Sequence, residues 1–510
     1  MTAQAAILRC GAYVPKLRLP RALIDAAMAW ANPPARKSTP GTRAICNWDE
    51  DALTMAVEAA RFCITSPSRV MAPGGAGHAR GAVPDGSAAP EGAALPQSLL
   101  FCSTSAPFAD RDDAVLLAAA LDLPESIETL NLGASLRAGT SALISALRHA
   151  DAVPSLVVAS DARQTRAGSP QELNYGDAAA ALLLGPSSPA ALATVLATRS
   201  VGSDFVDHYR MNGAEFDYAL EERWVRDEFL LQMVPKTVAE LLSAANCTAA
   251  DVRHFAVPAN SANAQRIARA CGVQAAQRDE RVLSECGDAG AAMPLLLLAG
   301  ALEAAAPGEL ILAVGIGQGV DALLLRAGEG VREGPRMLSA ALARRREESS
   351  YVRYLSHRGL LNVDFGMRAE RDQRTAHTAA FRKRGALNGF RGGRCTRCGT
   401  VQFPPSRVCV NPACRATDTQ VTHRLADSAG RVKSFTEDWQ AYAARPPYMY
   451  GNVEFAEGGN LLMEITDAES GEIKINDAVR FVFRIKDEDR ARGFRRYFWK
   501  AAKAGSPSDS

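Results

Sequence analysis

Along residues 1–330 the chain alternates two apolar textures. Short apolar runs at Ser98–Cys102, Ser155–Ala159, Ala178–Leu184, His254–Val257 and Glu309–Val314 have the length and composition of buried strands. Between them lie Ala/Leu-rich stretches long enough for helices, at Asp51–Cys63, Asp113–Leu121, Thr140–Ala150, Pro235–Ala245, Ala262–Cys271 and Pro294–Ala304. The alternation predicts a layered α/β domain over residues 1–330. Residues 66–97 interrupt it. They are dense in Gly, Ala and Pro, bury too little apolar surface to order themselves, and read as a flexible surface insertion. Residues 331–390 carry clustered arginines and few long apolar runs, which predicts an Arg-rich helical linker. Its arginines are read either as a solvated face or as meeting phosphates in part. Beyond it, residues 418–500 alternate short strands and turns in the manner of a small β-barrel, and 501–510 read as a disordered tail.

Four cysteines separate these two parts: Cys395-x2-Cys398-x10-Cys409-x4-Cys414. Two close pairs joined by a short loop are what a tetrahedral zinc ion requires, and Gly399, Pro404, Pro405, Asn411 and Pro412 supply the turns. Four thiolates fill the coordination shell, so Zn2+ here is expected to be structural, in a ribbon over residues 391–417. With 510 residues, two or three domains are expected. A hydrophobic content of 47% with 22% charged residues is that of a globular chain, and a net charge of +2 gives no case for a nucleic-acid or membrane partner. No apolar run approaches the ~18–20 residues that span a bilayer. The first residues lack a signal peptide's pattern, and metal-spaced thiols fit a reducing compartment, so the expected location is cytoplasmic.

Residues 1–330 resemble the thiolase superfamily, nearest to hydroxymethylglutaryl-CoA synthase and β-ketoacyl synthase III. The resemblance is carried by Gly11-Ala-Tyr-Val-Pro15 with Arg18, the segment Asn47–Met55, Arg137-Ala-Gly-Thr140 and Ser160-Asp161. It continues through Gly176-Asp-Ala-Ala-Ala-Ala181, Gly287-Asp-Ala-Gly290 and Gly315-Ile-Gly-Gln-Gly319. The last ~120 residues resemble the zinc-ribbon and OB-fold proteins that accompany thiolase-like enzymes. Here the match lies in Cys395–Pro405, Pro446-Pro447, Glu457-Gly-Gly-Asn460 and Tyr497-Phe-Trp-Lys500. The resemblance implies a five-layer α/β/α/β/α sandwich fused to a rubredoxin-like zinc ribbon and an OB-fold barrel. It also implies an acyl-CoA substrate, with coenzyme A as part of it, and a homodimer or higher homo-oligomer, with a second thiolase-like subunit as another partner. The barrel strands show no dense basic–aromatic face, so nucleic acid is not expected despite the OB-fold.

The residues that the resemblance makes catalytic are absent. Leu136 stands where the family has its nucleophilic cysteine, Thr104 where the synthase branch has a general-base glutamate, and Ala259 where it has a histidine. Asp288 replaces an asparagine that helps hold the thioester oxygen. Claisen or thiolase chemistry through an acyl-enzyme needs an activated thiolate and an acid–base partner. Only a relocated nucleophile, Cys102 or Cys286, would restore it. An aldol or retro-aldol reaction needs no nucleophile, only a base for a 3-hydroxyl and donors for an enolate.

The expectation is therefore a CoA-thioester carbon–carbon lyase acting on a 3-hydroxyacyl-CoA. His208 or Tyr175 would handle the hydroxyl proton and Asp288 the α-carbon proton, with Asp161 a further acid–base candidate. Arg137 and Arg210 would bind substrate, and Gly315, Gly317 and Gly319 would bring backbone N–H groups to the enolate oxygen. His208 as a surface imidazole and Asp161 as a backbone-bonding carboxylate are the bland alternatives. A Claisen-type acyltransferase and a non-catalytic acyl-CoA-binding scaffold are the competing functions.

Overall fold

The computed structural model describes residues 5–31, 39–65, 95–150, 152–369 and 374–504. Most of the 66–97 stretch read as an insertion lies outside the described residues. The strands of the first part are β1 (Ala5–Tyr13), β2 (Leu17–Pro20), β3 (Thr42–Ile45), β4 (Ser98–Cys102), β5 (Glu128–Leu132), β6 (Ser155–Asp161) and β7 (Ala178–Pro186). They are followed by β8 (Ala193–Gly202), the short pair β9 (His208–Tyr209) and β10 (Tyr218–Ala219), β11 (Val252–Ala256), β12 (Leu310–Ile316) and β13 (Gly319–Ala327). Nine of them form one sheet in the order β11-β12-β13-β8-β1-β7-β6-β4-β5. Its two halves meet only through Ala6↔Thr194 and Ile7↔Ala193, between β1 and β8.

The helices are α1 (Arg21–Met28), α2 (Ala52–Ile64), α3 (Asp113–Ala120), α4 (Ala138–Leu147), α5 (Pro170–Asn174), α6 (Met233–Ala244), α7 (Ser261–Ala270) and α8 (Met293–Ala304). α2 covers the β1–β7–β6 half, α6 with α7 beside it covers the β8–β13 half, and α4 and α8 touch both halves from between. That is the five-layer sandwich. Its central helix α8 buries Met293 to Leu302 without a polar face because sheets flank it on both sides. β6 and β12 are buried at every position, as strands covered on both faces must be. The start of α2 is set by a capping box: Asp51 accepts from the Thr54 N–H at 2.9 Å, and the Thr54 hydroxyl oxygen accepts from the Asp51 N–H at 2.9 Å.

The arginine-rich stretch is packed against the sandwich in its first part only; towards its end Arg382, Lys383 and Arg384 are exposed, as a solvated linker requires. Its helix α9 (Met337–Ala343) buries Leu338, Ala341 and Leu342, its short strand β14 (Arg346–Glu347) extends β2, and α10 (Tyr351–His357) buries Tyr354. Just after α10, Arg358 pairs with buried Asp177 at 3.2 Å and donates to the carbonyls of Ala162 and Arg163. Arginine clusters read as solvated because pairing partners distant in sequence carry no local signal.

Beyond it, β15 (Arg391–Cys395) pairs with β16 (Val401–Gln402) and β17 (Gln420–Arg424) to frame the cysteines. The strands β18 (Gly430–Asp438), β19 (Tyr448–Phe455), β20 (Asn460–Thr466), β21 (Ala478–Asp489) and β22 (Phe494–Lys503) close a barrel in the order β18-β19-β20-β22-β21. β22 runs to Lys503, with Ala502 paired to Arg480, so Ala501–Lys503 are strand and not tail; residues 505–510 lie outside the described residues.

Barrel and sandwich are joined through Asn47–Asp51 and α2. Buried Asp49 receives Lys500 at 3.0 Å and the Thr466 hydroxyl at 2.9 Å, while its carbonyl accepts from Ile485 N–H at 2.9 Å. Arg484 is fully buried and lies 3.0 Å from both Glu50 and Asp467. The Tyr497 hydroxyl donates to Asp51 at 2.7 Å. From α2, Arg61 donates to the carbonyls of Phe481 and Ala426, both at 2.8 Å, and its guanidinium lies 4.9 Å from the Trp499 ring. Burial pushes the Glu58 carboxyl up, but Arg61 and Arg480 together hold it at about 2.

Candidate functional site

β4, β5 and β6 are mutually parallel, so their C-terminal ends, Cys102, Leu132 and Asp161, open at one edge of the sheet. The turn from β5 into α4 is sharp: Ala134 has φ 64°, and Leu136 stands just before the helix. This is a strand–turn–helix corner of the kind that presents a nucleophile, and it presents an isobutyl group. Thr104, part-buried, lies on the adjoining loop, and Ala259 precedes α7.

The late glycines lie close to this corner, but for packing reasons. A Cβ on Gly315 would fall 1.9 Å from the Thr140 hydroxyl, one on Gly319 2.1 Å from the Val201 carbonyl, and one on Gly317 2.9 Å from the Ser135 hydroxyl. The Gly317 N–H is spent on the Gly319 carbonyl at 3.1 Å. Its carbonyl accepts from Ser135 at 2.8 Å and Arg137 Nε at 3.0 Å. Arg137 also pairs with buried Asp321 at 2.9 Å. Arg137 and Gly317 therefore tie the corner to the β12–β13 turn, which corrects their reading as substrate and enolate donors. Asp321, which receives Arg137, Thr140, Ser141 and Ser200, was missed.

Asp161 is likewise structural. It accepts six hydrogen bonds, from the Ser103, Thr104 and Ser105 hydroxyls and from the N–H groups of Thr104, Ser105 and Ala291. A carboxylate so engaged holds loops together and has no lone pair left for substrate. The cysteines proposed to take over as nucleophile are fully buried, and burial pushes both thiols up, that of Cys286 to about 12. Neither is a thiolate at neutral pH.

A polar cluster covers the same edge. Arg163, at the end of β6, pairs with Asp288 at 2.9 Å and lies 3.5 Å from the centre of the Tyr175 ring. The Tyr175 hydroxyl donates to Asp217 at 3.1 Å, and Arg210 reaches Asp217 at 3.3 Å and the Thr104 carbonyl. His208 Nδ1 lies 3.0 Å from Asp207. Burial disfavours the His208 cation, but the hydrogen bond and charge of Asp207 outweigh it and raise the imidazole above its ordinary value. Burial pushes the Tyr175 phenol up despite Arg163, so it remains a proton donor. Burial opposes the Arg163 charge, but Asp288, Tyr175, Asp161 and Asp217 keep the guanidinium charged. Asp288 is the open member: a third of its side chain is exposed, and its other oxygen accepts from Gly290 N–H at 3.0 Å.

Tyr175, Arg210 and Asp288 thus meet through Arg163 and Asp217, with His208 on the same hairpin as Arg210. Asp217 was missed, yet a signal existed. Asn212-Gly213 marks a hairpin turn, and the register Tyr209↔Tyr218 and Ala219↔His208 places Arg210 opposite Asp217.

The sulfurs of Cys395, Cys398, Cys409 and Cys414 all lie within 4.8 Å of one another, with Cys398–Cys409 at 3.5 Å and Cys395–Cys414 at 3.9 Å. A tetrahedral ion with ~2.3 Å Zn–S bonds sets sulfurs about 3.8 Å apart, so the donor set fits zinc. Removing the ion with a strong chelator, or a Cys409→Ser change, should raise hydrogen exchange across residues 391–424, because metal-binding energy is folding energy here. Unchanged exchange with the metal gone would refute a structural ion.

Residues 382–420 match the family described as the ChsH2 rubredoxin-like zinc ribbon domain, and residues 423–484 the ChsH2 C-terminal OB-fold domain. A DUF35 domain-containing scaffold protein of Methanothermobacter thermautotrophicus is 30% identical over 21% of this chain and 82% of its own length. Hydroxymethylglutaryl-CoA synthase of Aeropyrum pernix is 27% identical over 69% of this chain and 94% of its own. Among solved structures, MvaS in complex with 3-hydroxy-3-methylglutaryl coenzyme A superposes with a TM-score of 0.54 at 20% identity, over 70% of this chain and 92% of that one. This last likeness is one of fold. No helix among the described residues is long and apolar enough to cross a membrane.

Proposed function

Since the C-terminal part of the chain belongs to the DUF35-domain family and the N-terminal part has the thiolase-superfamily fold, we propose that it makes or breaks a carbon–carbon bond beside a CoA thioester, as a reversible aldolase of 3-hydroxyacyl-CoA. One observation carries the reading: the strand–turn–helix corner holds Leu136, while an acid–base cluster stands at the same sheet edge. Leucine forms no acyl-enzyme, so chemistry here must proceed without one.

In cleavage, His208 accepts the 3-hydroxyl proton, the C2–C3 bond breaks, and its electron pair enters the thioester carbonyl as an enolate. Protonation at C2 by Asp288, which as the carboxylate partner of Arg163 first takes a proton from solvent, releases a short acyl-CoA and a carbonyl product, and His208 returns its proton to solvent. Arg210, one-third exposed and with N–H groups beyond those given to Asp217 and Thr104, replaces the glycine loop as donor to the enolate oxygen. Asp288 paired with arginine and His208 raised towards its cation is the protonation state that starts the reverse reaction, condensation. Zn2+, held by the four cysteines, keeps the ribbon folded and takes no part in the chemistry.

The test is mass spectrometry of CoA products from 3-hydroxyacyl- and 3-oxoacyl-CoA esters, with and without free CoA. Short acyl-CoA released from the hydroxy esters alone is the expected result. Release only from oxo esters with free CoA would replace the aldolase with a Claisen-type enzyme. No release would favour the second reading, a non-catalytic scaffold, which the loss at Leu136, Thr104 and Ala259 supports. Light scattering on the same preparation should show a homodimer, because β5 has no neighbour on its outer edge among the described residues and exposes Leu130 there. A monomeric mass would remove that part of the reading.

A further inference from the structure

Donors outnumber acceptors where α10 meets the barrel. Arg445, on the loop between β18 and β19, is nine-tenths buried, yet only its Nη2 has a partner, Glu469. Its Nε and Nη1 have none among the described residues. Beside it, His357 ends α10 with both ring nitrogens buried and unpartnered, and Arg346 leaves its Nε in the same state. The remaining charged groups here are already engaged. Arg353 holds Glu348 through two contacts of 2.6 and 2.9 Å, Arg346 holds Glu472 at 3.1 Å, and Glu469 faces both Arg445 and Arg346. Arg445 also lines a cleft at the joint between the two parts, shared with Asn47 and Trp48 of the sandwich and with Glu464 and Asp467 of the barrel.

Buried guanidinium and imidazole groups left without acceptors are unfavourable, and a missing acceptor is the simplest completion. A water molecule brings two lone pairs and no charge. A tetrahedral oxyanion brings several oxygens, directed at once to the several N–H donors that Glu348, Glu469 and Glu472 leave unmet. We propose that Arg445 and His357, flanked by Arg346, form a binding site for a phosphate-class oxyanion. Two sources share that chemistry: free phosphate or pyrophosphate, and the diphosphate of a coenzyme A thioester. The second is compatible with the chain path, because Arg358, next to His357, holds the carbonyls of Ala162 and Arg163 at the candidate site. The assignment stands on the orphan donors and does not depend on the aldolase reading.

Proton linkage gives the site a signature. Burial first, then Arg445 and Arg353, hold His357 below its ordinary value, at about 4, with Glu348 opposing. An anion between His357 and Arg445 offsets those arginines and raises the imidazole, so binding takes up a proton and strengthens as pH falls. Sulfate, which does not titrate in this range, reports the protein's proton alone.

The experiment is calorimetric titration of the intact chain with pyrophosphate, then with sulfate at pH 7 and pH 5, and finally with CoA in competition. Arg445→Gln should weaken pyrophosphate at least about tenfold, the loss of one charge-assisted contact. His357→Gln should leave folding intact and abolish the pH dependence of sulfate binding. Competition by CoA would assign the site to the thioester tail, and its absence to a free oxyanion; either supports the site. No pyrophosphate binding by the unmodified chain would mean that water alone fills the junction, and the proposal fails. It fails equally if Arg445→Gln and His357→Gln both bind as the parent does.

Discussion

A His208→Ala chain is expected to lose about 10²–10⁴-fold in aldol turnover while its zinc content and melting temperature stay unchanged. The size of the effect follows from position. Among the described residues His208 is the only imidazole in the polar cluster at the sheet edge, and its charge is balanced by Asp207 at 3.0 Å without sharing a bond in the Arg163–Asp288 pair. Asp288→Asn is expected to fall comparably, since it keeps the shape and removes the charge that meets the α-proton. The pH profile adds a sign. His208 is raised, so the base form needed for cleavage is lost as pH drops through a value above the ~6.5 of a free imidazole. Cleavage therefore has an acid limb above that value, and the limb disappears in His208→Ala. Cleavage at the parent rate by His208→Ala would remove this residue from the mechanism.

The largest stability effect is expected at the joint between sandwich and barrel. Arg484→Met leaves Glu50 and Asp467 buried without the cation 3.0 Å from each, and breaking a buried pair in this way costs about 3–5 kcal/mol. Burial pushes the Asp467 carboxyl up, but Arg484, then Lys16 and Arg480, hold it at about 2. A depressed carboxylate contributes its stability above the unfolded value of ~3.9 and loses it as pH falls towards about 2. In Arg484→Met that contribution is gone, so the gap between variant and parent should be widest near neutral pH and narrow on acidification. Urea titrations at pH 7 and pH 3 measure it, with Glu50→Gln added to Arg484→Met expected to recover part of the loss. A variant within about 0.5 kcal/mol of the parent at pH 7 would show that the joint is held by its apolar contacts instead.

The same joint shows how sequence and structure divided the information. Asn47–Asp51 was legible as a family-like segment, but not as a docking surface, because its partners Thr466, Arg484, Tyr497 and Lys500 lie more than 400 residues away. The linker arginines were unreadable for the same reason. An arginine in water and one held by Asp177 have the same neighbours in sequence. At the sheet edge, hydrophobic periodicity located β4, β6, α3 and α4 but not β5 or α5, and motif spacing singled out Leu136, Thr104 and Asp288. Spacing could not tell that Asp161 spends every lone pair on loops or that Gly315 exists to make room for Thr140.

What the sequence determined by itself is what short-range physics controls. The period of apolar positions chose strands and helices, the cysteine spacing chose a tetrahedral thiolate site, and Leu136 left the strand–turn–helix corner without a thiol. What only the tertiary structure decided is which polar groups are free. Burial, charge pairing and hydrogen-bond saturation depend on where distant segments cross, and those crossings left Asp288 and Arg210 part-exposed at the sheet edge while Asp161, Arg137 and Gly317 spend their hydrogen bonds on neighbouring loops.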